Sequence, residues 1–294
     1  NGAPETTATP TLVKRIIALW EENTGPDLMY LTPEQLRVEI RKYIARGIDF
    51  LKYGATGHRE EYMLMSSPAA QQVIVEESRR AGITVQTHTT NVEGLRVVLE
   101  QGVDMLQHGD WTGPTPIPPE TIRMMIDRNI YCAIQPFTKA RIEIAVEQAA
   151  GDPPSSRRKE KVQTVHVNDV NLIKAGAPLL LATDAGMADP DRLATMTARA
   201  QIDRPTELGE AHFRWFTAVA EKGMKPMDAI VAATRNIAAA YKKLDQFGTL
   251  ERGKLADLVI LDADPLADLG NIRRISAVMK EGSDNFRSSS ILGI

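Results

Sequence analysis

A single cysteine, Cys132, stands among the 294 residues. That scarcity excludes an internal disulfide and any zinc site built from thiolates. Its setting, the strand-like run NIYCAIQP, reads as a place for a small buried hydrophobe. No window approaches the length of a transmembrane helix. A basic stripe is also missing: 35 Lys and Arg face 38 Asp and Glu, a formal net charge of −3, which argues against a nucleic-acid partner. The short cluster Arg157-Arg158-Lys159 reads as a solvated helix start. No signal peptide is visible, but the chain opens on Asn1 rather than methionine, so localisation stays open between cytoplasm and periplasm or exterior.

What is present is an ordinary globular composition, 43% hydrophobic and 25% charged, long enough for one large α/β domain or two smaller ones. An opening segment holds a short apolar-periodic helix, LVKRIIALWEE. Thr32-Pro33-Glu34-Gln35 then predicts a helix start with Thr32 as cap, Pro33 at the first helical position and Gln35 closing a capping box. From there strands and helices alternate. Strands are predicted over Ile48–Tyr53, Ile83–His88, Val103–His108, Ile130–Gln135 and Leu179–Asp184, with helices over Ala69–Ala81, Val92–Gln101, Pro119–Arg128 and Lys159–Ala175. Glycines at Gly82, Gly102 and Gly176 end helices just before strands. Such alternation implies a parallel sheet. Two further helical stretches, Glu207–Lys222 and Pro226–Lys242, lead to a different texture. GTLERGKLADLVILDADP holds a strand at Asp257–Leu261, and ISAVMKEG holds another. The expected division is therefore a barrel domain over 1–246, a small β domain over 247–282 and an irregular tail over 283–294.

The chemistry sits where the strands stop. Lys52, His88, His108 and Asp184 each close one of them, and the carboxyl ends of parallel strands are where α/β barrels place their sites. Side chains two apart share a strand face. Lys52 is thus expected to point with Phe50, His88 with Gln86, His108 with Leu106 and Asp184 with Ala182, all towards the barrel axis. Each has a plainer explanation: a paired lysine, a satisfied core histidine, an aspartate acting as a helix cap. Four polar residues ending four of five predicted strands argue against all of these together, because burying them unpaired would cost several kcal/mol. Imidazole and carboxylate suit zinc and similar divalent ions. A lysine joins such a set only after losing its proton and taking up carbon dioxide, as a carbamate able to bridge two ions.

At this point the chain resembles the metal-dependent amidohydrolase superfamily, in its branch of prolidase-like and Xaa-Arg dipeptidases, ochratoxin-degrading amidohydrolases and imidazolonepropionase relatives. GIDFLKYG, SRRAGITVQTHTTNVEGLRVVLEQGVDMLQHG, LIKAGAPLLLATDAG, KPMDAIVAATRNIAAAYKKLDQFGTLERGKLADLVILDADPLAD and ISAVMKEG carry the resemblance, over most of the chain from Thr32 to Gly282. It implies a (β/α)8 TIM-type barrel, represented here by its fourth to eighth strands, with a small β-sandwich-like domain at the C-terminus. It implies two divalent ions, zinc by default, with Lys52 as the carboxylated bridge, His88 and His108 on the more exposed ion and Asp184 on the buried one. It further implies hydrolysis of an amide or peptide bond in a dipeptide or N-acyl amino acid by a metal-bound hydroxide, with Asp184 as general base and then acid. Many relatives are homo-oligomers.

Two departures accompany the resemblance. The superfamily's His-x-His pair is nowhere in this chain, which predicts that a hundred or more residues of barrel precede Asn1. Thr90 stands where relatives often carry a second histidine. His58, His166 and His212 are read as surface or loop residues, Lys254 and Asp257 as structural, and Tyr53, Trp111, Gln135 and Arg141 as candidates to shape a pocket. Two readings compete with the binuclear hydrolase. A mononuclear deaminase of the same fold is disfavoured by Lys52, and a non-catalytic fragment or scaffold is kept open by the missing histidine pair.

Overall fold

The structure, a computed structural model, describes residues 28, 31–57, 63–152, 157–186, 198 and 207–287. The predicted helix LVKRIIALWEE and His58 lie outside these residues. Helix α1, Pro33–Ile44, starts at the expected capping box: the Gln35 N–H donates to Thr32 Oγ1 at 3.3 Å, and the Thr32 N–H to Gln35 Oε1 at 2.9 Å. It buries Leu36 and Ile40, and its Arg37 and Arg41 reach Glu77 on the next helix.

Five parallel strands follow: β1 (Phe50–Gly54), β2 (Thr84–His88), β3 (Met105–Gln107), β4 (Tyr131–Ile134) and β5 (Leu179–Leu181), hydrogen-bonded in that spatial order. Helices α2 (Pro68–Ala81), α3 (Val92–Gln101) and α4 (Pro119–Asp127) make the first three crossovers. Two helices connect β4 to β5: α5 (Lys139–Ala149), absent from the sequence-based expectation, and α6 (Arg158–Ala175). Thr138 caps α5 by accepting the Arg141 N–H at 3.1 Å. A threonine cap just after Pro136 was its available signal.

The pleat sorts side chains into two layers. Leu51, Val85, Leu106, Cys132, Ile134 and Leu179 point outward and join the main core beneath the helices. Met105, Ala133 and Leu180 point to the other face, where Ala240 packs against them in a smaller cluster. Leu95, Val98 and Leu99 of α3 are 0% exposed, the expected result for an apolar stripe at i, i+3 and i+4.

The chain then forms α7 (Ala211–Glu221), α8 (Pro226–Ala233) and α9 (Arg235–Ala240). The single helix predicted over Pro226–Lys242 is two, broken at Thr234 (φ −131°, ψ −86°), whose hydroxyl donates to the Ile230 carbonyl at 2.7 Å. A second sheet is antiparallel, with β6 (Leu258–Leu261), β7 (Ile275–Lys280) and β8 (Ser283–Arg287) in sequence order. The last strand corrects the expectation of an irregular tail from Ser283. Glu281 and Gly282, both at positive φ, turn the chain so that Ser283 pairs with Lys280.

Candidate active site

Register places the site residues. Lys52 lies beside Gln86, Gly54 beside His88, and His88 beside Gln107. Lys52, Gln86, His88, Met105 and Gln107 therefore share the inner face. This corrects the expected parity of His108. Leu106, its supposed companion, is buried in the outer core, and regular pleating would send His108 there too. Instead β3 stops at Gln107, and His108 takes a left-handed backbone with φ 38°. That turn brings its ring onto His88, with centroids 5.5 Å apart and planes at 24°. Asp184 does the same after β5, with φ 47°. Left-handed backbone at a non-glycine residue costs on the order of 1–3 kcal/mol and collects at functional sites. Of the six non-glycine residues at positive φ among the described residues, two are these candidate site residues.

His88 is half-buried, and its Nε2 lies 3.0 Å from the Thr56 carbonyl. Gly54 makes room for this ring. A Cβ there would meet His88 Cε1 at 3.1 Å and Nε2 at 3.3 Å. Gly54 is thus a site residue that sequence reasoning passed over, although a glycine within a strand signals close approach of another group.

Lys52 lies in β1 and Asp184 follows β5, the two edge strands of the sheet. Both are exposed, and among the described residues no group of three His, Cys, Asp or Glu stands close enough to hold a metal ion. The argument from the cost of burying unpaired groups therefore applies to the histidines and not to these two.

Behind His108 lies a buried charged cluster. Asp110 and Asp169 are each 0% exposed, and Lys222 Nζ is 3.7 Å from Asp169 Oδ2. Burial raises the Asp110 carboxyl above its ordinary range, and burial plus the neighbouring Asp110 charge raises Asp169. Burial pushes the Lys222 ammonium down, with Asp169 opposing. Sequence reading missed all three, since their proximity arises from elements far apart in the chain. Cys132 is buried as expected, its thiol pushed up by burial and then by the two aspartates.

The other singled-out residues sort readily. Tyr53 sends its hydroxyl to Gln71 Oε1 on α2 at 3.4 Å, so it packs outward. Trp111 stands edge-on to Phe137, 5.8 Å between centroids. The Gln135 N–H donates to Asp110 Oδ2, and Arg141 sits in the first turn of α5. Thr90 is tied into a knot, its hydroxyl 2.8 Å from Thr56 Oγ1 and from the Gly57 carbonyl. His166 and His212 prove to be half-buried helix residues rather than loop residues, and burial lowers the pKa of each. Lys254 bonds Thr249 and Asp257 bonds Lys280, within the C-terminal unit. A cavity of about 530 Å³ opens at the opposite, amino ends of the strands. Its Arg128 caps the Leu99 and Glu100 carbonyls at the end of α3, and its Lys242 pairs with Asp104 and donates to the Ile83 carbonyl.

A parallel strand–helix sheet, with paired imidazoles at its carboxyl rim, makes this an α/β protein of TIM-barrel type. The amidohydrolase family model matches residues 5–283, and the chain belongs to that family. Among solved structures it is similar to molinate hydrolase, at 39% identity and TM-score 0.83, covering 97% of this chain and 62% of that one. Phenylurea hydrolase B follows at 35% identity and TM-score 0.83, covering 96% and 63%. A. niger ochratoxinase matches at 25% identity and TM-score 0.67, covering 88% and 56%. The chain thus spans less than two thirds of the length of each. Comparison with curated proteins gives no match.

Proposed function

We propose that this chain carries the metal-binding rim of a hydrolase that cleaves a C–N amide-type bond in a small molecule. The stacked pair His88–His108 at the carboxyl ends of neighbouring strands carries this reading. Two imidazoles at a half-buried rim are a donor set that fits a divalent ion, zinc by default. Lys52 lies on the same inner face and is exposed, open to the carbon dioxide that would convert it to a carbamate ligand. In this reading Asp184, which follows β5, is the fourth donor. When bound, such ions polarise a carbonyl and lower the pKa of water towards ~7.

The chain's own residues then divide the remaining work. Asp184 accepts a proton from the attacking water and delivers it to the leaving nitrogen, base then acid on one carboxylate. His88 and His108 fix the position of attack. Gly54 leaves the space that the His88 ring occupies, and the backbone bonds of the turn hold His108 in place. Dipeptides and N-acyl amino acids are the substrate class proposed from sequence, and phenylureas join the panel through the neighbour named for them. The test is Asp184→Asn. Turnover of whichever panel member the protein cleaves falls about 10²–10⁴-fold while metal content is retained; wild-type turnover in that variant would remove Asp184 from the chemistry.

A further inference from the structure

The turn that aims His108 is held from behind by two consecutive residues of α6. Asn168 is 0% exposed and makes three bonds of 2.8 Å: its Oδ1 accepts the Ile117 N–H, and its Nδ2 donates to the Asp110 carbonyl and to Thr112 Oγ1. The next residue, Asp169, sits against Asp110 and meets Lys222, which also donates to the Phe137 carbonyl at the start of the β4–α5 connection. Asp110 Oδ2 accepts the Gln135 N–H at 3.2 Å, closing the strut onto the end of β4. Within the turn, the Gly109 N–H reaches the Ala133 carbonyl at 3.2 Å, and the Trp111 N–H reaches the His108 carbonyl at 3.0 Å.

A left-handed residue persists only where its surroundings over-determine it. We infer that Asn168, backed by the Asp169–Lys222 pair, is the positioning residue that holds His108 at φ 38° and so over His88. Sequence pattern does not announce it, because Asn168 is 60 positions from His108 and on the buried face of a helix. The inference rests on the proposed metal role of the histidines, yet the anchoring itself is observable without metal.

Metal-free protein is titrated with zinc alone, and amide hydrogen exchange is followed in parallel. Asn168→Ala should weaken zinc binding about 10–100-fold, the usual effect of removing a group that orients a ligand. It should also accelerate exchange at Gly109 and Trp111 at least tenfold. Thr112→Val removes one arm of the strut and should do the same to a smaller degree, which keeps the test alive if Asn168→Ala does not fold. Glu77→Gln, a disruption in the α1–α2 interface, should lower stability without either effect. If His108→Ala weakens zinc binding while Asn168→Ala and Thr112→Val bind as wild type, the positioning role is overturned and the metal reading stands. If His108→Ala also leaves zinc affinity unchanged, the metal reading fails. Exchange then decides the anchoring: fast amides at Gly109 and Trp111 sustain it, and protected amides overturn it.

Discussion

Replacing Gly54 by alanine adds one carbon at the closest approach of β1 to the site. The new Cβ would lie 3.1 Å from His88 Cε1 and 3.3 Å from Nε2, whereas carbon atoms pack comfortably at about 3.5–4.0 Å. The ring must therefore move by roughly 0.4 Å or more, close to the ~0.5 Å within which a binding constellation has to be held. Gly54 is not among the residues at positive φ, so the alanine backbone is unstrained, and the lost freedom of the unfolded chain favours the variant by about 0.4–1 kcal/mol. Overpacking opposes this by about 1–3 kcal/mol. The net loss of stability is then about 0–2.6 kcal/mol, while zinc affinity falls about 10–100-fold through the displaced imidazole. Thermal unfolding read beside a zinc titration separates the two effects. A variant that loses stability but binds zinc as wild type would refute the link between this glycine and the site.

Other expectations concern the frame. Glu77, its side chain 4% exposed, accepts from Arg37 and Arg41, and the Arg41 bond foremost holds its carboxyl down to about 2. The sign follows from a folded pKa below the ordinary 4.5. The contribution is complete above pH 4.5 and is lost as pH falls towards 2, so denaturant midpoints of wild type and Glu77→Gln should converge over that window. Because Arg37 and Arg41 are 34% and 47% exposed, solvent screening limits the effect at pH 7 to about 1–2 kcal/mol. Leu95→Ala empties a fully buried position and should cost about 2–5 kcal/mol by chemical denaturation. Trp215→Phe removes the indole N–H that donates to the Ile134 carbonyl at 3.0 Å, one bond to an oxygen that β5 also engages, a loss of about 0.5–1.5 kcal/mol.

Much of the fold was legible because it obeys local rules. The capping box at Thr32, the glycine stops at Gly82, Gly102 and Gly176, and the alternation of strand and helix each follow from neighbours in sequence. The site was legible in part. Sequence marked both histidines, and the structure stacks them. It grouped His108 with Leu106, because period-two reasoning assumes a strand that continues; β3 ends one residue earlier, and a left-handed turn brings the ring to His88 while Leu106 joins the outer core. What lies behind the rim was not readable at all. Asp110, Asn168, Asp169 and Lys222 are drawn together by packing of α6 and α7 against the strand ends, and no spacing in the chain encodes that meeting. Gly54 is intermediate: its residue type hinted at close approach, but only the fold names His88 as the group that comes near.

The most direct test of the central claim is the metal content of the purified protein, measured by elemental analysis after dialysis in bicarbonate-containing buffer, for the wild type and for Lys52→Ala. The account predicts bound divalent metal in the wild type and a loss of bound metal in the variant. Wild-type protein that binds no divalent ion would contradict it.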